Sequence, residues 1–280
     1  MTTPHQALVG TDWLHERLGE VRVLDGSWHL PSTGRSADAE FADEHIPGAQ
    51  RFDIDAVADA SSSLPHMLPA PEQFAAAVSA MGIGNDDHVV VYDTQGLFSA
   101  ARVWWMFRVF GHERVSVLDG GLPAWKAKGH PVTAELAQIT PTRFEARFRP
   151  ELVADLERVR DIVADGSAQI LDNRSADRFH MRVPEPRPHV RAGRMPGATN
   201  LPMGDLLDEG GRLLRGERLR RVLGEAGVDP TAPSVCSCGS GVTACVAALA
   251  LYTLGHESAA VYDGSWTEWG SRDDTPIETG

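Results

Sequence analysis

The sequence predicts an α/β protein of two tandem domains, each a mainly parallel sheet flanked by helices, and three observations predict it. The second half restates the first in the same order. Short runs of valine, isoleucine and leucine alternate with segments of helical period. At 280 residues the chain exceeds the length, about 250 residues, at which a single core usually stops growing. The restatement is specific: Leu24-Asp25-Gly26 is answered by Leu171-Asp172-Asn173 and Pro47-Gly48 by Pro196-Gly197. FGHERVSVLDGGLPAW is answered by LGHESAAVYDGSWTEW, pairing Gly111, Asp119 and Trp125 with Gly255, Asp263 and Trp269. A period of about 145 residues is far too long for a solenoid, so each copy should be a complete fold.

In chain order, apolar runs predict strands over 21–24, 89–92 and 115–118 in the first copy, then over 169–171, 235–237 and 259–262 in the second. A helix over 71–81 carries proline in its first turn and Gly82 just beyond its end. Further helices are expected over 102–110, 153–164, 216–225 and 242–254. The run VWWMF at 103–107 reads as core rather than as a base-stacking surface. Residues 131–150, punctuated by prolines and poor in periodicity, read as an extended linker between a domain of residues 1–130 and one of 151–280. The junction of two such domains is where small-molecule sites tend to fall.

The charge balance excludes some partners. With 26 Lys and Arg against 39 Asp and Glu, a net charge of −13 repels phosphate backbones and anionic membrane surfaces. The first twenty residues lack the basic stretch and apolar run of a secretory signal, and no window approaches a membrane span. A cytoplasmic location is therefore expected. Cys236, Cys238 and Cys245 are the only cysteines, too few for a disulfide framework and wrongly spaced for a structural zinc site, so free thiols and no metal are expected.

All three lie in VCSCGSGVTAC. A strand ending at 237, a glycine turn at 239–241 and a helix starting at 242 would gather unpaired backbone N–H groups and the positive end of a helix dipole around Cys238. Cysteines at such places ionise more readily than free thiols. Read locally, the turn serves either close packing or a nucleophile. Cys236 and Cys245 read as buried and inert, one within the strand and the other within the helix. The first copy offers a control: its corresponding turn, VYDTQGLFSAARVWW, places Asp93 where the second has Cys238. One copy lacks the nucleophile, which favours a specialised site.

The tandem copies, the HIPGA motif, CGSGVTA on the second copy alone and YDGSWTEW together resemble the two-domain rhodanese superfamily, and within it the 3-mercaptopyruvate sulfurtransferases, over most of the chain. The resemblance implies two rhodanese-like domains and a persulfide mechanism without a cofactor. Cys238 would take sulfur from 3-mercaptopyruvate, release pyruvate and pass the sulfur to cyanide or to a thiol such as thioredoxin. The backbone of Gly239, Ser240, Gly241, Val242 and Thr243 would cradle the persulfide. Asp55 and His66, from the first copy, would join Ser240 in a proton-moving chain. Arg178 and Arg187, in RFHMRVPEPR, would hold the carboxylate and carbonyl of the donor. Arg182, Arg191 and Arg194 read as solvated. A monomer is expected.

Thiosulfate sulfurtransferases share this resemblance but place arginine and lysine after the cysteine. Here Gly239 and Ser240 make a neutral loop better suited to a substrate thiol, with thiosulfate as a side or alternative donor. A cysteine phosphatase would need arginine six residues after the cysteine, where this chain has Ala244. A non-catalytic persulfide relay would need only the cysteine. A Cys236–Cys238 redox pair has a spacing poorly suited to an unstrained bond. The chain departs from the family pattern in RMPG, in FHMRV after Arg178 and in Cys236 itself.

Overall fold

The computed structural model describes residues 6–279; residues 1–5 and 280, at the ends of the expected domains, lie outside the described residues. Two compact units emerge. One comprises Met1–Asp59, Leu68–Arg149 and Glu209–Leu213, the other Ala60–Met67, Pro150–Asp208 and Leu214–Gly280. Each thus includes a short segment from the sequence of the opposite half.

The first unit holds β1 (Leu8–Val9), α1 (Thr11–His15), β2 (Arg22–Asp25), α2 (Ala37–Asp43), β3 (Gln50–Arg51), α3 (Pro71–Ala80), β4 (Val89–Tyr92), α4 (Ala100–Val109), β5 (Val115–Leu118) and α5 (Gly121–Ala127). Its five strands are parallel in the order β1-β5-β4-β2-β3. The second unit holds β6 (Val153–Ala154), α6 (Leu156–Asp165), β7 (Gln169–Asp172), α7 (Ala176–Phe179), β8 (Ala198–Asn200), α8 (Gly216–Glu225), β9 (Ser234–Ser237), α9 (Ala244–Thr253), β10 (Ala260–Tyr262) and α10 (Ser265–Ser271). Its order, β6-β10-β9-β7-β8, is the first order with every label advanced by five. The repeat read from short phrases is therefore a repeat of topology, and the α/β class with two parallel sheets is as expected.

Local chemistry accounts for several boundaries. Helix α3 opens on Pro71, and Gln73 Oε1 accepts the Ala70 amide at 3.1 Å. Asp155 caps α6 by accepting the Arg158 amide at 2.9 Å, and Gly166 closes it in the left-handed region. The helix expected over 153–164 is thus preceded by an edge strand, because Val153 and Ala154 pair with β10. Helix α4 starts two residues before the expected position and is buried along its whole length, Arg102 and Arg108 included. These two cations lie over the rings of Trp105 and Trp104, 4.6 and 4.9 Å from the centroids, which places VWWMF in the core as expected.

One core cluster of the first unit packs Val23, Phe41, Tyr92 and Trp125; elsewhere Phe74 of α3 meets Phe107 and Phe110 at centroid distances of 5.3 and 4.3 Å. In the second unit Val159, Ile170, Val235, Tyr262, Trp266 and Trp269 form the corresponding core. Residues 131–149 are not a free tether. Thr133 pairs with His45, Arg147 and Arg149 donate their amides to Phe110 and Val109, and Phe144 is buried against Phe74.

Candidate active site

The middle strand of each sheet, β4 or β9, runs directly into a loop and then a buried helix. In open parallel sheets ligands collect at this carboxyl end of the strands. Asp93 follows β4 and is fully buried. Its Oδ2 accepts the amides of Phe98, Ser99 and Ala100 at 2.7, 3.0 and 2.9 Å, and its Oδ1 accepts the amide of Gln95 at 2.9 Å. A carboxylate therefore closes the first copy's loop from inside, as the convergent amides of a strand-to-helix turn favour.

Cys238 follows β9 in the same way, and loop 239–243 contains no carboxylate. Helix α9 begins at Ala244, two residues later than expected. Gly241 sits at φ 75°, and the Cys245 and Val246 amides bond back to Val242 and Thr243, so this stretch is a tight turn before the regular helix. The residues expected to cradle a persulfide, 239 to 243, are thus all loop. Cys238 is 2% exposed.

Three residues after β10 pin the backbone of Cys238 and Gly239. Ser265 Oγ accepts the Cys238 amide at 3.2 Å, the Trp266 amide donates to the Cys238 carbonyl at 3.0 Å, and Thr267 donates its amide and hydroxyl to the Gly239 carbonyl at 2.9 and 2.5 Å. Ser265 holds φ 49°, a region that costs a non-glycine residue about 1–2 kcal/mol. The first copy has Gly121, Leu122 and Pro123 at these positions and keeps only the Leu122 amide bond to the Asp93 carbonyl. Ser265 and Thr267 were not among the expected site residues, although the contrast between LDGGLP and YDGSWT marks them.

Arg178 lies against Gly239: a Cβ built on that glycine would meet its Nη2 and Nη1 at 3.2 and 3.3 Å. Its Nε is buried with no hydrogen-bond partner among the described residues, a donor available to a ligand. The expectation for Gly239 and Arg178 thus acquires a common reason, since any side chain at 239 would press on the guanidinium. Arg178 Nη2 is paired with Glu185 Oε2, while Glu185 Oε1 accepts from Arg174 Nη1 at 2.9 Å. Arg174 is in turn gripped by Asp172, with Nη2–Oδ2 at 2.6 Å, and lies 4.2 Å over the Trp266 ring. Burial opposes the charge of Arg174, but Asp172 and Glu185 outweigh it and hold the guanidinium protonated. Arg174 and Glu185 also went unread; the phrase Arg-Ser-Ala-Asp, present at both 35–38 and 174–177, was the signal for the first.

Arg187 is half-buried two residues beyond Glu185. Arg182 is exposed, as expected. Arg191 and Arg194 are not solvated: Arg191 donates to the carbonyls of Gly270 and Thr275 at 3.1 Å, and Arg194 pairs with Glu278 at 3.2 Å. Both tie down the end of the chain.

His66, expected as a contribution of the first domain, falls within Ala60–Met67 and so belongs to the unit that holds Cys238 and Ser240. It is 6% exposed and sits at φ 61°, a conformation retained where surrounding structure enforces it. Asp55 belongs to the first unit, where its Oδ2 accepts from Trp28 Nε1 at 2.9 Å. Cys236 is fully buried, and burial pushes its thiol up to about 12, with Cys238 adding a smaller push. Cys245 donates to the Gly241 carbonyl at 3.2 Å. Both are fully buried, one within the strand and the other within the helix. Among the described residues no cluster of His, Cys, Asp or Glu could hold a metal ion.

A family model described as a rhodanese-like domain matches residues 10–128 and 155–272. A thiosulfate/3-mercaptopyruvate sulfurtransferase of Arabidopsis thaliana, named as mitochondrial, is 43% identical over 98% of this chain and 78% of its own length. The 3-mercaptopyruvate sulfurtransferase of Escherichia coli (strain K12) is 43% identical over 96% of this chain and 97% of its own. The solved structure of SseA from Escherichia coli, a 3-mercaptopyruvate sulfotransferase of "rhodanese" fold, matches with a TM-score of 0.85 at 41% identity, covering 93% of this chain and 99% of that one.

Proposed function

Because the chain belongs to the rhodanese-like family, we propose that it is a sulfurtransferase that moves the sulfur of 3-mercaptopyruvate through a persulfide on Cys238 to a thiol or to cyanide. One observation carries this reading. At the position where the first copy installs a carboxylate among four loop amides, the second presents a cysteine. A thiolate or persulfide there meets the same kind of loop, which is what a sulfur anion needs from its surroundings.

In the first half-reaction the Cys238 thiolate attacks the sulfur of 3-mercaptopyruvate. A sulfur–sulfur bond forms, the carbon–sulfur bond breaks, and its electron pair leaves on the enolate of pyruvate. The thiol proton of the donor passes through Ser240 and His66 to the enolate carbon and completes pyruvate. In the second half-reaction cyanide or a thiolate such as that of thioredoxin takes the outer sulfur and returns Cys238 to the thiolate. Dividing the transfer in two replaces one difficult step with two easier ones.

Arg178 and Arg187 hold the carboxylate and carbonyl of the donor, and the amides of 239–243 hold the sulfur. Gly239 supports a keto-acid donor, because any side chain at that position would place its Cβ 3.2 and 3.3 Å from Nη2 and Nη1 of Arg178 and displace the guanidinium. The double name of the Arabidopsis relative favours thiosulfate as a second donor. The working form is a monomer in the cytoplasm; among the described residues no helix is long and apolar enough to cross a membrane.

The test compares turnover of 3-mercaptopyruvate and thiosulfate at matched concentrations with cyanide as acceptor, together with mass spectrometry of the donor-treated protein. A gain of one sulfur mapped to Cys238, absent in Cys238→Ser, is the expected result. A tenfold preference for thiosulfate would overturn the donor assignment. Full turnover by Cys238→Ser would overturn the mechanism.

A further inference from the structure

Of the two groups that hold Arg178 in place, Gly239 makes room for it and Glu185 fixes its charge. The Glu185 side chain is 4% exposed and divides its carboxylate between two guanidinium groups, Oε1 on Arg174 and Oε2 on Arg178. Arg174 cannot yield, since it is fully enclosed, paired with Asp172, bonded to the Gly193 carbonyl at 2.9 Å and stacked on Trp266. Glu185 is therefore anchored at one oxygen and delivers the other to Arg178. The arrangement does two things at once. It sets the guanidinium beside Gly239, next to Cys238, and leaves the buried Nε as a donor without an acceptor among the described residues. It also balances charge: Asp172 and Glu185 offset Arg174 and Arg178, so these four groups are neutral together and Arg187 is the further cation proposed for the donor.

We infer that Glu185 is a specificity-determining positioning residue, which holds Arg178 for a singly charged α-keto acid and disfavours a doubly charged donor such as thiosulfate. The inference rests on the proposal that Arg178 and Cys238 form the donor site. At neutral pH 3-mercaptopyruvate carries one negative charge, its carboxylate, whereas thiosulfate carries two. Every negative charge placed at Arg178 also meets the buried carboxylate on the far side of that guanidinium. Within a few ångströms, in a medium less polar than water, the additional charge of thiosulfate is disfavoured by roughly tenfold or more. A buried salt bridge of this kind is weak evidence for stability, and removing one partner leaves the other charge uncompensated.

The experiment measures kcat/KM for thiosulfate and for 3-mercaptopyruvate, with cyanide as acceptor, in the wild type, Glu185→Gln and Glu185→Asp. Glutamine preserves shape and one acceptor while removing the charge; the thiosulfate to mercaptopyruvate ratio should rise at least tenfold. Aspartate preserves charge but not reach; the ratio should stay within twofold while KM for 3-mercaptopyruvate rises. An equal loss on both donors in Glu185→Gln would assign the residue a structural role and overturn the inference. Failure of both variants to fold, read by circular dichroism, would overturn it as well. If the wild type acquires no sulfur on Cys238 from 3-mercaptopyruvate, the underlying reading fails; if it does and the ratio is unmoved, this inference alone fails.

Discussion

The comparison of the two loops predicts that Asp93 is among the most stabilising polar residues of the first unit, and Asp93→Asn tests it. The carboxylate accepts four backbone amides, three on Oδ2 and one on Oδ1, at 2.7 to 3.0 Å, in full burial. Hydrogen bonds to a charged group contribute about 1.5–3 kcal/mol each and neutral ones about 0.5–1.5 kcal/mol. With its oxygen turned to the three-amide side, asparagine keeps three bonds in weakened form. Its amide nitrogen then faces the Gln95 N–H, donor against donor, and that bond is lost. Three bonds reduced by about 1 kcal/mol each, plus a lost charged bond of about 1.5 kcal/mol, give a destabilisation of about 4.5 kcal/mol. Urea unfolding followed by tryptophan fluorescence reads it, because five of the seven tryptophans, Trp13, Trp28, Trp104, Trp105 and Trp125, lie in the first unit. A midpoint shift worth less than about 1 kcal/mol would refute the claim that this loop is built around an anion, and would weaken the same claim for Cys238.

Other consequences are open to measurement. Cys236→Ala should leave sulfur transfer within twofold of the wild type, since burial pushes that thiol up to about 12 and keeps it protonated; a tenfold loss would give Cys236 a chemical role. Arg187→Gly should reduce kcat/KM for 3-mercaptopyruvate by at least tenfold more than for thiosulfate, and equal losses would remove Arg187 from the keto-acid site. His112 is 2% exposed, and burial lowers it to about 4. Between pH 6.5 and 4 the unfolded chain binds a proton that the folded state refuses. The stability this provides is therefore complete above pH 6.5 and falls away as pH drops toward 4, by about 3 kcal/mol at most. Acid titration of Tm should be flatter in His112→Gln, and an unchanged slope would contradict the assignment.

Much of the molecule was legible in the chain. Val89–Tyr92, Val115–Leu118 and Ser234–Ser237 are buried interior strands of their sheets, and their valine-rich runs, interrupted only by small serines, announce them. The edge strands Leu8–Val9, Gln50–Arg51 and Val153–Ala154, and the three-residue Ala198–Asn200, were not legible, because two or three residues are too few to show a period of two. The starts of α4 and α9 shifted for a related reason. Both helices are buried on all sides, so no amphipathic stripe marks where regular turns begin.

By itself the sequence determined the duplicated α/β architecture, the contrast between Asp93 and Cys238, and the glycine turn that follows the cysteine, because composition, repetition and turn chemistry are written in adjacent residues. Only the tertiary structure decided that Glu185 joins Arg174 to Arg178, that Ser265 and Thr267 hold the peptide of Cys238, and that His66 falls in the unit of the cysteine. These groups are separated by loops whose closure depends on the packing of the whole sheet, and a buried ion pair or a strained backbone angle leaves no period in the chain from which it could be read.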